Sequence, residues 1–159
     1  MFVTIFLSVL RLGLVRAKEI LYAVGGISEV VSPHGDPPFI EQYNPPMNSW
    51  KTVKMVQPFS VDRDHYGTAF LSGCLLFTGG IDSVSEWAKR EVIRVNIGNT
   101  SLTPTTLSSM LVPRAGHCVV TSEHFVYVIG GAQTQNIEAP LGMNTVERYN
   151  PRTGRLLFV

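Results

Sequence analysis

The apolar positions of this chain come in short runs, each closed by glycine, proline or a polar turn. Three runs share one ending: Ile20-Leu21-Tyr22-Ala23-Val24-Gly25-Gly26, Leu75-Leu76-Phe77-Thr78-Gly79-Gly80 and Val126-Tyr127-Val128-Ile129-Gly130-Gly131. Each is of strand length and rich in β-branched and aromatic residues, which predicts β-strands rather than helices. The first glycines stand at 25, 79 and 130, so the intervals are 54 and 51 residues. A spacing that regular is the mark of a repeated structural unit.

Two further features keep the period. Phe39-Ile40-Glu41-Gln42-Tyr43-Asn44-Pro45 recurs as Thr145-Val146-Glu147-Arg148-Tyr149-Asn150-Pro151, with a degenerate middle copy, Glu91-Val92-Ile93-Arg94-Val95-Asn96. Twelve residues before the first two glycine pairs stand Gly13 and Gly67, and fourteen before the third stands Gly116. The two extra residues of the third unit are expected in the turn Thr121-Ser122-Glu123-His124. Each unit then reads as four short antiparallel strands, the fourth being Ser49–Val53, Ser101–Thr103 and Leu157–Val159 in turn. The expected boundaries are 11–56, 63–106 and 114–159. Four-stranded units at this period are the sequence form of propeller blades. The expected fold is all-β, an incomplete or open β-propeller of about three blades.

The repeated residues have structural roles in this reading. Gly25, Gly26, Gly79, Gly80, Gly130 and Gly131 supply backbone freedom and leave room where strands crowd. Tyr43, Tyr149 and Trp50, seven residues after Tyr43, are expected to pack between neighbouring sheets. Asn44-Pro45 and Asn150-Pro151 preset the turn between the last two strands.

The combination resembles the kelch repeat family over residues 11–159, with LYAVGG and YNPPMNSW in the first unit, LLFTGG in the second, and VYVIGG with VERYNP in the third. The second unit departs from the pattern with Val95 and Leu102 for Tyr and Trp, and the third has Leu156 for Trp. The resemblance implies kelch-type blades and a protein-protein interaction module that takes a protein or peptide ligand. Tyr-Asn-Pro is frequent in the branch that follows BTB domains, where such propellers are substrate receptors for cullin ubiquitin ligases. No BTB segment lies within these 159 residues, so the ligase role rests on the propeller resemblance alone. Other kelch proteins bind actin and the cytoskeleton. In similar proteins partner peptides lie on the face formed by the loops before the first strand and after the glycine pair. Here those loops carry Arg11, Arg63, His65 and Arg114, then Ser28, Glu29, Asp82, Ser83, Gln133 and Gln135. Arginines at such positions hold carboxylates in a two-pronged grip.

Composition narrows the alternatives. A net charge of +1 gives no electrostatic reason to expect nucleic acid or a membrane surface as partner. Cys74 and Cys118 form no metal-binding spacing and are expected as free thiols of a reducing, cytoplasmic compartment. The apolar run 1–10 is too short to span a bilayer. Read as a signal peptide cut after Ala17, it would make the protein secreted or luminal, with Asn99-Thr100-Ser101 as a glycosylation acceptor, but the cut would remove the first strand. His34, His65, His117 and His124 show no metal spacing, and no nucleophile elbow, phosphate loop or zinc-protease motif occurs. We therefore expect no enzyme, metal or cofactor. The rival here is a propeller oxidase or isomerase, and the resemblance extends to both; the oxidases need a cysteine–tyrosine cross-link. Two three-blade halves could also pair into a six-blade ring.

Overall fold

The structure is a computed structural model that describes residues 9–10, 13–17, 20–24, 27–28, 40–53, 63–82, 85, 87–97, 102–133 and 142–159. Among them there are sixteen strands and no helix. In the first unit these are β1 (Val9–Leu10), β2 (Gly13–Ala17), β3 (Ile20–Val24), β4 (Ile27–Ser28), β5 (Ile40–Asn44) and β6 (Ser49–Val53). The second unit has β7 (Arg63–Asp64), β8 (Gly67–Leu71), β9 (Cys74–Thr78), β10 (Ile81–Asp82), β11 (Val92–Asn96) and β12 (Pro104–Thr106). The third has β13 (Cys118–Thr121), β14 (Val126–Ile129), β15 (Val146–Asn150) and β16 (Arg155–Phe158).

Three four-stranded antiparallel sheets result: sheet I is β2-β3-β5-β6, sheet II is β8-β9-β11-β12 and sheet III is β13-β14-β15-β16. The first strand of sheet II, β8, touches the first strands of both neighbours, β2 and β13. The sheets therefore stack side by side as blades of an open propeller, with sheet II in the middle. Among the described residues sheet II is covered on both faces, which is why four consecutive residues of β9, Leu75 to Thr78, are all buried. The seam between sheets I and II is filled by Val15, Tyr22, Val24, Ile40, Leu75, Phe77, Val95 and Leu102. That between sheets II and III holds Ala69, Leu71, Leu76, Val92, Met110, Val126, Val128, Tyr149 and Leu156.

Strand pairing corrects the expected register of the third unit. Gly13 stands opposite Val24 and Gly67 opposite Thr78, but the residue opposite Ile129 is Cys118, not Gly116. The count of twelve residues to the glycine pair thus holds in all three units, and the third carries no extra residues in its turn. Gly116 instead takes the place of His65, and both have a left-handed backbone, φ 60° and 54°. The fourth strand of the second unit is corrected as well. It is Pro104–Thr106, not Ser101–Thr103, and Pro104 stands opposite Val95 where Trp50 stands opposite Tyr43 and Leu156 opposite Tyr149. A proline is tolerated there because β12 is an edge strand that need not donate on its outer side. Leu102 is nonetheless buried in the first seam.

The glycine pairs repeat one geometry: φ is 59° and 96° at Gly79 and Gly80, 67° and 94° at Gly130 and Gly131. Side chains are excluded by space as well as by torsion. A Cβ on Gly131 would lie 2.7 Å from the Ala115 carbonyl oxygen, and one on Gly79 would strike that of Arg114. The second glycine of the middle pair also joins units, because the Gly80 N–H donates to the Arg114 carbonyl at 3.0 Å. Gly25 and Gly26 lie outside the described residues.

Candidate functional site

The two loop sets named from the sequence meet at one end of the sheets. β1 pairs with β4, placing Val9 opposite Ser28, and β7 pairs with β10, placing Arg63 opposite Asp82. In the third unit Ala115 bridges Ala132, beside Arg114 and Gln133. Each unit thus extends its first two strands past the glycine pair into a short ladder, and the ladders together form a rim. The Gly116 N–H donates to the His65 carbonyl at 2.8 Å, which ties the second and third ladders. Arg11, Glu29, Ser83 and Gln135 lie outside the described residues, as does Asn99-Thr100-Ser101.

Not every rim residue faces solvent. Arg114 is 0% exposed. Its Nη1 donates to the carbonyls of Gly130 (2.8 Å) and Thr145 (3.2 Å), and its Nη2 to Thr145 Oγ1 (3.2 Å) and Glu147 Oε1 (2.7 Å). Glu147 is equally buried and accepts the Leu111 and Val112 N–H groups at 2.7 and 3.1 Å. The pair is therefore enclosed with nearly all its hydrogen-bonding capacity used, the condition under which a buried ion pair holds its charge. Arg114 is a stitch between strands in this structure, not an open anion grip. Arg63 stands four residues before Gly67, as Arg114 stands four before Cys118, but it is held differently. Its Nη1 lies 3.1 Å from Glu91 Oε2 in a partly exposed pair.

Beneath the rim lies His117, 8% exposed. Thr78 Oγ1 lies 3.3 Å from the Gly67 carbonyl oxygen and shares a 2.7 Å hydrogen bond with His117 Nε2. Burial, with the Arg114 charge adding to it, lowers the His117 pKa to about 4. The ring is neutral at physiological pH. His124, by contrast, is exposed in the β13–β14 turn, so the two histidines do not face one site. Among the described residues no three His, Cys, Asp or Glu side chains converge as metal ligands.

What the sequence reading missed is Trp87. Trp87 is 60% exposed, yet its neighbour Ala88 is buried and bridges Ile81 of β10. The Ala88 N–H donates to the Gln133 carbonyl at 2.8 Å, and the Lys89 N–H to that of Gly80 at 2.8 Å. A large apolar ring thus stands on the rim on a tied backbone, between the second and third ladders, with half-buried Gln133 accepting from the next residue. The only signal in the sequence is that this tryptophan falls in the loop after a glycine pair, off the Tyr-to-Trp spacing.

At the other end of the sheets a cavity of 240 Å³ opens between sheets II and III, lined by Leu71, Cys74, Arg94, Leu107, Tyr149 and Arg152 among others. It shares no residue with the rim. Both cysteines are free thiols, Cys74 half-buried beside this cavity and Cys118 exposed.

A scan against protein-family models gave no match, and no curated protein matched the chain.

Proposed function

We propose that this chain is a protein-interaction module of kelch type, and that its rim docks a segment of a partner protein against Trp87. The observation that carries this reading is the placement of Trp87: an exposed aromatic, held by a hydrogen-bonded backbone, where two loop ladders meet. Tryptophans so placed dominate binding energy at protein interfaces because a rigid ring buries much area for little lost freedom. The rigid sheets beneath leave the loops free to vary without cost to the core. The partner segment supplies an apolar anchor for the ring, with polar groups for Gln133 beside it. Arg63, already neutralised by Glu91, contributes shape more than charge.

The kelch reading rests on the motif residues; three sheets of four strands each are compatible with it. By that resemblance the partner is a substrate presented to a cullin ubiquitin ligase, and the compartment is the cytoplasm, where unpaired Cys74 and Cys118 stay reduced.

The test is a random-peptide display selection on the folded chain, followed by titration of the selected peptides. Trp87→Ala should weaken them about tenfold or more, with thermal unfolding unchanged. Selected peptides indifferent to Trp87→Ala would sink the rim reading.

A further inference from the structure

Sheets I and III each leave one face uncovered among the described residues, and those faces repeat the two sides of the seams already formed. The side of sheet I that meets sheet II carries Val15, Tyr22, Val24 and Ile40, at most 6% exposed. The side of sheet II that meets sheet III carries Ala69, Leu76, Thr78 and Val92 in the same register, at most 5% exposed. In sheet III the matching positions are Val120, Tyr127, Ile129 and Val146, again all apolar or aromatic. Here, however, Val120 is 45% and Ile129 40% exposed, with Leu157 at 53% on the same face.

The opposite surface of the seam is repeated too. Sheet II offers Leu75, Phe77 and Val95 to sheet I, and sheet III offers Val126, Val128 and Tyr149 to sheet II. In sheet I the corresponding residues are Leu21, Ala23 and Tyr43, of which Ala23 is 4% exposed, flanked by Leu14, 54% exposed, and by Trp50 tilted against Tyr43 with ring centroids 5.1 Å apart. One chain therefore carries both halves of a seam it already makes twice.

We infer that the open face of sheet III docks on the open face of sheet I of a second copy, and reciprocally, closing a dimer of six sheets. Six lies within the usual blade number of closed propellers. The occupant argued for is a copy of this chain because the docking faces continue the internal seams position by position, so the chain itself carries the matching surface for each. One position differs. Gly67 packs where a Cβ would lie 2.6 Å from His117 Nε2 and strike Val119, whereas sheet III has Cys118 at the same place. By the register, Leu14 holds in sheet I the place of Val119. The seam between copies is therefore wider there by one side chain, with the Cys118 thiol against Leu14 of the other copy.

Two measurements test this on the full chain. Sedimentation at micromolar concentration should show a dimer, and Val120→Asp combined with Ile129→Lys should make it monomeric with an unchanged circular dichroism spectrum. In a Cys74→Ser background, Leu14→Cys should give a disulfide-linked dimer on adding a thiol oxidant, and Cys118→Ser should abolish it. A chain that stays monomeric and does not cross-link overturns the proposal. So do species that are only larger than two copies, or a dimer indifferent to the face substitutions.

Discussion

The seam between sheets I and II is closed by hydrocarbon and rings: Tyr22, Leu75, Phe77, Val95 and Leu102, with Tyr66 packed on Phe77 at 5.8 Å. The seam between sheets II and III has an apolar cluster of similar kind but adds the buried Arg114–Glu147 pair and the His117–Thr78 bond at its rim end. Both seams join first strands and middle strands in the same register. Stacking geometry is thus set by strand count and register, while the filling is free to differ. The polar filling has consequences the apolar one lacks: it depends on every partner being present, and it depends on pH.

The largest expected effect is at the ion pair. Arg114→Met leaves Glu147 enclosed without its counter-charge and should cost about 4 kcal/mol in denaturant unfolding. Adding Glu147→Leu should return much of that loss, because the double variant buries no unpaired charge. In the apolar seam, Phe77→Ala should cost about 3 kcal/mol through lost burial and a residual cavity. That loss should be the same at pH 7 and pH 5.

A smaller effect separates the seams by titration. The folded His117 holds its pKa near 4, below the ordinary value of 6.5. As pH falls from 6.5 to 4, the unfolded chain takes up a proton that the folded chain refuses. Stability therefore falls with pH across that window, by about 3 kcal/mol at most. His117→Gln should flatten this slope and keep the hydrogen bond to Thr78. An unchanged slope in that variant would remove His117 as the cause.

Much of this architecture was legible from spacing alone. Glycine pairs at 25, 79 and 130 located the second strand of each unit, and Tyr43 and Tyr149 located the third. The first strand of the third unit was misplaced because Gly116 drew the register to itself. That glycine answers a left-handed backbone position shared with His65, not the close approach of sheets that Gly67 answers. Pro104 hid the fourth strand of the second unit, since a proline reads as a turn unless the strand is known to be an edge. The arginine at 114 was visible, but its burial was not, because its partner Glu147 lies 33 residues further on. A signal for it did exist. Glu147 alternates with Val146 and Arg148 on the face of Tyr149, so it is a carboxylate pointed into a seam and in need of a cation. Trp87 escaped because loops lack periodicity, so nothing in the pattern ranks one loop residue above another.

The division of labour between rim and stitch can be read in one experiment that measures peptide affinity and unfolding on the same two variants. In Trp87→Ala, affinity for rim-selected peptides should fall about tenfold or more while the unfolding midpoint holds. In the Arg114→Met, Glu147→Leu double variant, the folded fraction should bind those peptides with wild-type affinity. Binding that survives Trp87→Ala but is lost from the folded double variant would contradict this assignment and return recognition to Arg114.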